Sequence, residues 1–125
     1  MKKLTYTFAA LFAAMTLANA QSARLQVIHN CADPAAALVD IYLNDNSLPL
    51  LNDFAFRKAS RFIDAPSGVP LKISVCAPDS KDSKTPIKTF TVTLEDKKTY
   101  VAVASGLVAT GFALNPDSKE TGFNL

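Results

Sequence analysis

The sequence predicts an all-β fold: an immunoglobulin-like two-sheet sandwich of about seven short strands, preceded by a cleavable signal peptide. Three observations predict it. After the first twenty residues the apolar positions alternate with polar ones at a period of two, not at helical spacing. β-Branched and aromatic residues dominate these runs. Proline, glycine and Asn/Asp clusters such as Asp33-Pro34, Asn44-Asp45-Asn46 and Pro66-Ser67-Gly68 separate them.

The opening segment, MKKLTYTFAALFAAMTLANA, has Lys2 and Lys3, an apolar run from Phe8 to Ala18, and Ala18-Asn19-Ala20 as a small-x-small cleavage site. This is the pattern of a secretory signal peptide, so the chain is expected to be exported to the periplasm, the cell surface or the medium. Gln21 stands where a lipoprotein would need a cysteine. The apolar run is too short to cross a bilayer, and no later stretch approaches the ~20 residues required, so no membrane span is expected in the mature form. Cleavage removes Lys2 and Lys3 but no acidic residue. Eleven basic and eleven acidic residues remain, and the mature chain is formally neutral. A generally cationic surface for nucleic acid or anionic lipid is therefore not expected. The remaining residues, 21–125, fit one domain large enough to bury a core. The chain stops at TGFNL, which reads as the start of a strand, so a further strand or domain beyond Leu125 is expected.

The strands can be placed in order. Arg24 to Asn30 sets Leu25 and Val27 against Arg24 and Gln26, and Asp33-Pro34 ends it. In Leu38 to Asn44, Val39, Ile41 and Leu43 alternate with Asp40, Tyr42 and Asn44, the pattern of one-sided burial. LLNDFAFRKASRFIDAP gives two short pieces, Leu50 to Phe56 and Ser60 to Asp64. Leu71 to Cys76 sets Leu71, Ile73 and Val75 against Lys72, Ser74 and Cys76. Ile87 to Leu94 faces inward through Phe90, Val92 and Leu94. Tyr100 to Ala104 is apolar on both faces, so it should be a central strand covered on each side, or one lying against a partner. Leu107 to Leu114 is a weaker strand rich in glycine and alanine. The absence of tryptophan rules out the antibody-type core of a Trp against a disulfide.

Two cysteines remain after cleavage, Cys31 and Cys76, and export would carry them to an oxidising compartment. One disulfide is expected, closing a loop of about 46 residues with a chain-entropy contribution of roughly 4 kcal/mol. Strand phase puts Cys31 on the face of Leu25 and Val27 but Cys76 opposite Leu71, Ile73 and Val75. The bond is therefore placed at a rim, where each cysteine precedes a proline-broken loop. His29, the single histidine, lies about 7 Å from Cys31 by strand rise, too far for a thiolate-imidazole pair. A metal site lacks a second histidine. The expected arrangement is a structural disulfide beside a hydrogen-bonded histidine, with Asp33 starting an Asp-Pro turn and no metal or other cofactor.

Three further stretches carry polar chemistry. Phe54 to Phe62 interleaves Arg57, Lys58 and Arg61 with Phe54, Phe56 and Phe62, a composition that could bind an anionic glycan or polymer. The alternative is an edge segment whose charges block edge pairing while the aromatics face the core. Asp79, Ser80, Asp82 and Ser83 offer oxygens for calcium but lack the glycine and terminal glutamate of a calcium loop, so a mobile, solvated loop is expected. Gly106, Gly111 and Gly122 follow no phosphate-binding pattern, and no GxSxG or paired-carboxylate motif is present.

In order and spacing, RLQVIHNCADPAAALVDIYLND, FAFRKASRFIDAPSGVPLKISVCAP and FTVTLEDKKTYVAVASG resemble the domain of unknown function 4397 family from about Arg24 to Leu125. The matching features are a first strand ending in His before a small-Asp-Pro turn, a V-D-I-Y-L-N strand, an aromatic run into A-P-S-G, and a T-L-x-x-x-x-T-Y-V-A-V strand pair. The resemblance implies an exported immunoglobulin-like domain of bacterial envelope or secreted proteins, often in tandem or ahead of a surface-sorting segment. It implies no established activity and nothing about Cys31 and Cys76. The expected role is a non-enzymatic structural or adhesive module whose partners are other envelope or surface proteins or glycans. The rival role is a binding module for an anionic glycan through Arg57, Lys58 and Arg61.

Overall fold

The computed structural model of the protein describes residues 21–109 and 122–125. The expected signal peptide and most of the expected Leu107 to Leu114 strand lie outside the described residues. Among the described residues seven strands form: β1 (Ser22–His29), β2 (Leu38–Leu43), β3 (Leu51–Ala55), β4 (Ile63–Pro66), β5 (Pro70–Cys76), β6 (Lys88–Thr93) and β7 (Thr99–Ala104), with a short 3-10 turn at Pro34–Ala36. They make a three-stranded sheet ordered β4-β1-β7 and a four-stranded sheet ordered β3-β2-β5-β6. All pairs are antiparallel except β1 with β7. The fold is the two-sheet sandwich that the alternating pattern predicts.

The two sheets enclose one apolar cluster, because the inward positions of each strand are the apolar ones. Leu25 and Val27 from β1 meet Val39 and Ile41 from β2 and Leu71, Ile73 and Val75 from β5, all nearly inaccessible to solvent. Burying such side chains supplies about 1.5–3 kcal/mol each relative to exposure, which opposes the entropy lost on ordering the chain. Turns fall where the sequence places them. Gly68 has φ +73, a left-handed conformation that a residue with a Cβ rarely adopts, so the Pro66-Ser67-Gly68 turn needs its glycine.

Tyr100 to Ala104 is not the expected central strand. β7 is the last strand of the three-stranded sheet, and its outward Val101 and Val103 are 52 % and 40 % exposed. A short valine and alanine strand reads as doubly buried because neither residue type distinguishes a covered face from an open one.

The expected disulfide is also corrected: Cys31 and Cys76 are both buried free thiols. Cys31 belongs to the cluster between the sheets, whereas Cys76 stands beside Asp40 on β2, in the phase of β5 opposite to Leu71, Ile73 and Val75. Strand phase holds to the last residue of β5, so the rim never brings the sulfurs onto one face.

Candidate functional site

The turn after β1 gathers the residues most able to do chemistry, and its histidine and aspartate are committed to holding backbone. His29 is 2 % exposed, with ring centroids 5.9 Å from Phe54 and 6.1 Å from Phe56. Its Nε2–H donates to the Ala36 carbonyl at 2.7 Å, and its Nδ1 accepts from the Cys31 N–H at 3.3 Å. A carbonyl can only accept and an amide N–H can only donate, so these partners fix the neutral Nε2–H tautomer. Neither nitrogen is left to take a proton from a nucleophile or to ligate a metal.

Asp33 caps the 3-10 turn, its Oδ1 accepting from the Ala35 N–H at 2.9 Å. Its Oδ2 accepts from the N–H groups of Val108 at 2.9 Å and Ala109 at 2.7 Å, which clamps the segment after β7 onto the turn after β1. The hydrogen bonds from Ala109 and Ala35 are the main reason its carboxyl sits below the usual carboxylate range, with a smaller contribution from Val108 and with burial opposing. A depressed folded-state value means that this clamp is complete at neutral pH and is lost as pH falls through that lowered value. Asp33 does begin an Asp-Pro turn, as read from the sequence. The long-range use of its second oxygen has no local signal, because Val108 and Ala109 donate backbone groups that any residue would supply.

A second polar cluster lies on the outer face of β2 and β5. Asp40 is 1 % exposed. β3 carries an irregularity between the Val39–Phe54 and Ile41–Leu51 pairs, leaving Asn52 and Asp53 opposite Asp40. Asp53 adopts φ +51, and Asp40 Oδ1 accepts its N–H at 2.8 Å. Asp40 Oδ2 accepts from Ser80 Oγ at 3.1 Å, and the Tyr42 hydroxyl donates to the Ser80 carbonyl at 3.2 Å. The loop after β5 is therefore pinned at Ser80 over the sheet, with Ser83 buried as well. The expected solvated loop is in this part a lid for Asp40, Tyr42 and Cys76. Burial first, then Asp40 and Asp82, push the Cys76 thiol up, the opposite of what a nucleophilic cysteine needs. Asp82 accepts from the Lys84 N–H at 2.9 Å and pairs with its Nζ at 3.7 Å.

Arg57, Lys58 and Arg61 are exposed, on a segment that runs beside β1. The Arg57 N–H donates to the His29 carbonyl at 2.8 Å, the His29 N–H to Lys58 O at 2.9 Å, and the Ser60 N–H to Val27 O at 2.8 Å. A bridge between Ile28 and Ala59 completes this extension of the sheet beyond β4. Phe54 is buried and Phe56 half-buried, but Phe62 is 40 % exposed, with the Arg24 guanidinium 5.8 Å from its ring centre. Among the described residues the ion pairs are Lys72–Asp45 and Lys84–Asp82, so none of the three edge cations is neutralised by one.

A family profile described as a domain of unknown function, DUF4397, matches residues 23–121. Comparison with curated proteins and with solved structures finds no match.

Proposed function

The chain belongs to the DUF4397 family of domains of unknown function, and from that premise we propose that it is a non-enzymatic, exported module with a structural or adhesive role in the bacterial envelope or secretome. The observation that carries this reading is the turn from His29 to Asp33. Both ring nitrogens and both carboxylate oxygens there are bonded to backbone groups, so the densest set of reactive side chains serves as a clamp. The first twenty residues support export.

The second reading, a binding module for an anionic glycan or polymer, is favoured by the exposed Arg57, Lys58 and Arg61 and by the Arg24–Phe62 stack. Replacing the three edge cations together by alanine distinguishes the two. On the structural reading the variant reaches the envelope fraction in normal amount, processed to begin at Gln21, and a dextran sulfate column retains it no less than the parent. Loss of retention with normal export would favour glycan binding. A parent chain that stays in the cytoplasm with Met1 intact would defeat the exported-module reading.

A further inference from the structure

We propose that the loop joining β5 to β6, residues 78–86, is a lid held by one latch, Ser80: it lifts from the sheet as a unit while the sandwich stays folded, and so exposes Asp40, Tyr42, Ser74 and Cys76 together. This goes beyond the exported-module reading and does not depend on it. The lid, its latch and its floor all lie between Asp40 and Lys88.

The floor beneath the loop is polar. β2 and β5 pair with Asp40 opposite Cys76 and Tyr42 opposite Ser74, and these four residues are at most 1 % exposed without belonging to the apolar cluster between the sheets. Apolar contact is what usually repays the entropy of ordering a loop. This loop supplies little of it, because PDSKDSKTP has no aliphatic or aromatic side chain apart from its two proline rings. When water replaces the loop, the carboxylate and the hydroxyl groups of the floor exchange one hydrogen-bond partner for another, so the net cost of opening is small. Ser83, buried as well, carries a hydroxyl that water satisfies in the same way.

Among the described residues, the hydrogen bonds that tie 78–86 to the sheet all end on Ser80. Its Oγ donates to Asp40 Oδ2 at 3.1 Å, and its carbonyl accepts from the Tyr42 hydroxyl at 3.2 Å. Its N–H reaches only the start of the loop, at Ala77 O, and the Asp82–Lys84 contacts are internal to the loop. The Ile87 N–H donates to Val75 O at 2.7 Å, which returns the chain to the ladder just after Pro86. Beyond the latch the tip stands clear of the turn after β2. A cleft of about 520 Å³, lined by Asp45, Asn46, Ser47 and Lys81 to Lys84, separates the two. Burial first, then Asp40 and Asp82, push the Cys76 thiol up, whereas lifting the loop admits water and carries Asp82 away. The open form is therefore the one in which Cys76 reacts.

The test is slow alkylation of Cys76 by iodoacetamide in the folded protein, with the labelled site mapped by mass and global unfolding measured separately in urea. Cys76 should react at least about tenfold faster than the global unfolding equilibrium allows, and low urea should hardly change its rate, because the opening exposes little surface. Ser80→Ala should raise that rate at least about tenfold, the ratio expected when a hydrogen bond to a charged group is lost. Tyr42→Phe, which keeps the ring and removes the second bond to Ser80, should raise it less. Val27→Ala weakens the core between the sheets and leaves the loop intact, so it should favour global unfolding without speeding the labelling of Cys76. Three results would overturn the proposal: a Cys76 rate no higher than global unfolding gives; a rate that Val27→Ala raises as much as it raises global unfolding; or no acceleration by either latch variant.

Discussion

Replacing His29 by alanine is expected to destabilise the domain by about 3–5 kcal/mol, a large share of the 5–15 kcal/mol typical of a domain. Three losses combine. The ring leaves a cavity beside Phe54 and Phe56, the Ala36 carbonyl loses its donor, and the Cys31 N–H loses its acceptor, all in a site closed to water. His29→Phe restores most of the volume and none of the hydrogen bonds, so it should recover part of the loss and remain about 1–3 kcal/mol below the parent. Urea unfolding of the three proteins, with unchanged slope, measures both differences. A cost below about 1 kcal/mol for the alanine variant would mean that the ring does not hold the turn.

Asp40→Ala should cost about 1–3 kcal/mol, from the loss of a buried side chain and of the acceptor for two part-buried donors. The Asp53 N–H sits at a strained positive φ that the carboxylate helps to hold, and Ser80 anchors the loop over Tyr42 and Cys76. Asp40→Asn separates this role from charge. Its amide oxygen can still accept from Asp53, and its NH₂ can donate to the Ser80 hydroxyl, which is able to accept. The asparagine variant should therefore stay within about 1.5 kcal/mol of the parent, while the alanine variant also exposes the loop around Ser80 to limited proteolysis. Equal losses for both would show that the negative charge, rather than the hydrogen bonds, is what the cluster requires.

Much of this architecture is legible in the sequence because it follows from a local period of two. Val39, Ile41 and Leu43 against Asp40 and Tyr42 is enough to place β2 and its inward face, and six other strands fall within a few residues of their expected bounds. Three features escaped for one physical reason, namely that they depend on residues distant in the chain. Asp40 reads as a solvent-facing strand residue until Ser80 folds over it. Asp33 reads as a turn starter until Val108 and Ala109 arrive. β7 reads as doubly covered because alternation cannot report which strand, if any, lies beyond it. The disulfide expectation failed differently. The opposed phases of Cys31 and Cys76 were visible in the sequence, and the structure follows them rather than the general tendency of exported cysteines to pair.

The central claim is that the histidine, cysteines and carboxylates of this domain serve the fold and not a reaction. Counting thiols in unreduced protein, before and after unfolding, tests it most directly. The account predicts no fast-reacting thiol in the native state, since Cys31 and Cys76 are inaccessible and Cys76 is held protonated by burial, and two thiols once the chain is unfolded. A native cysteine that reacts rapidly at neutral pH would contradict it, whereas an unfolded chain that yields no thiol would overturn only the free state of Cys31 and Cys76.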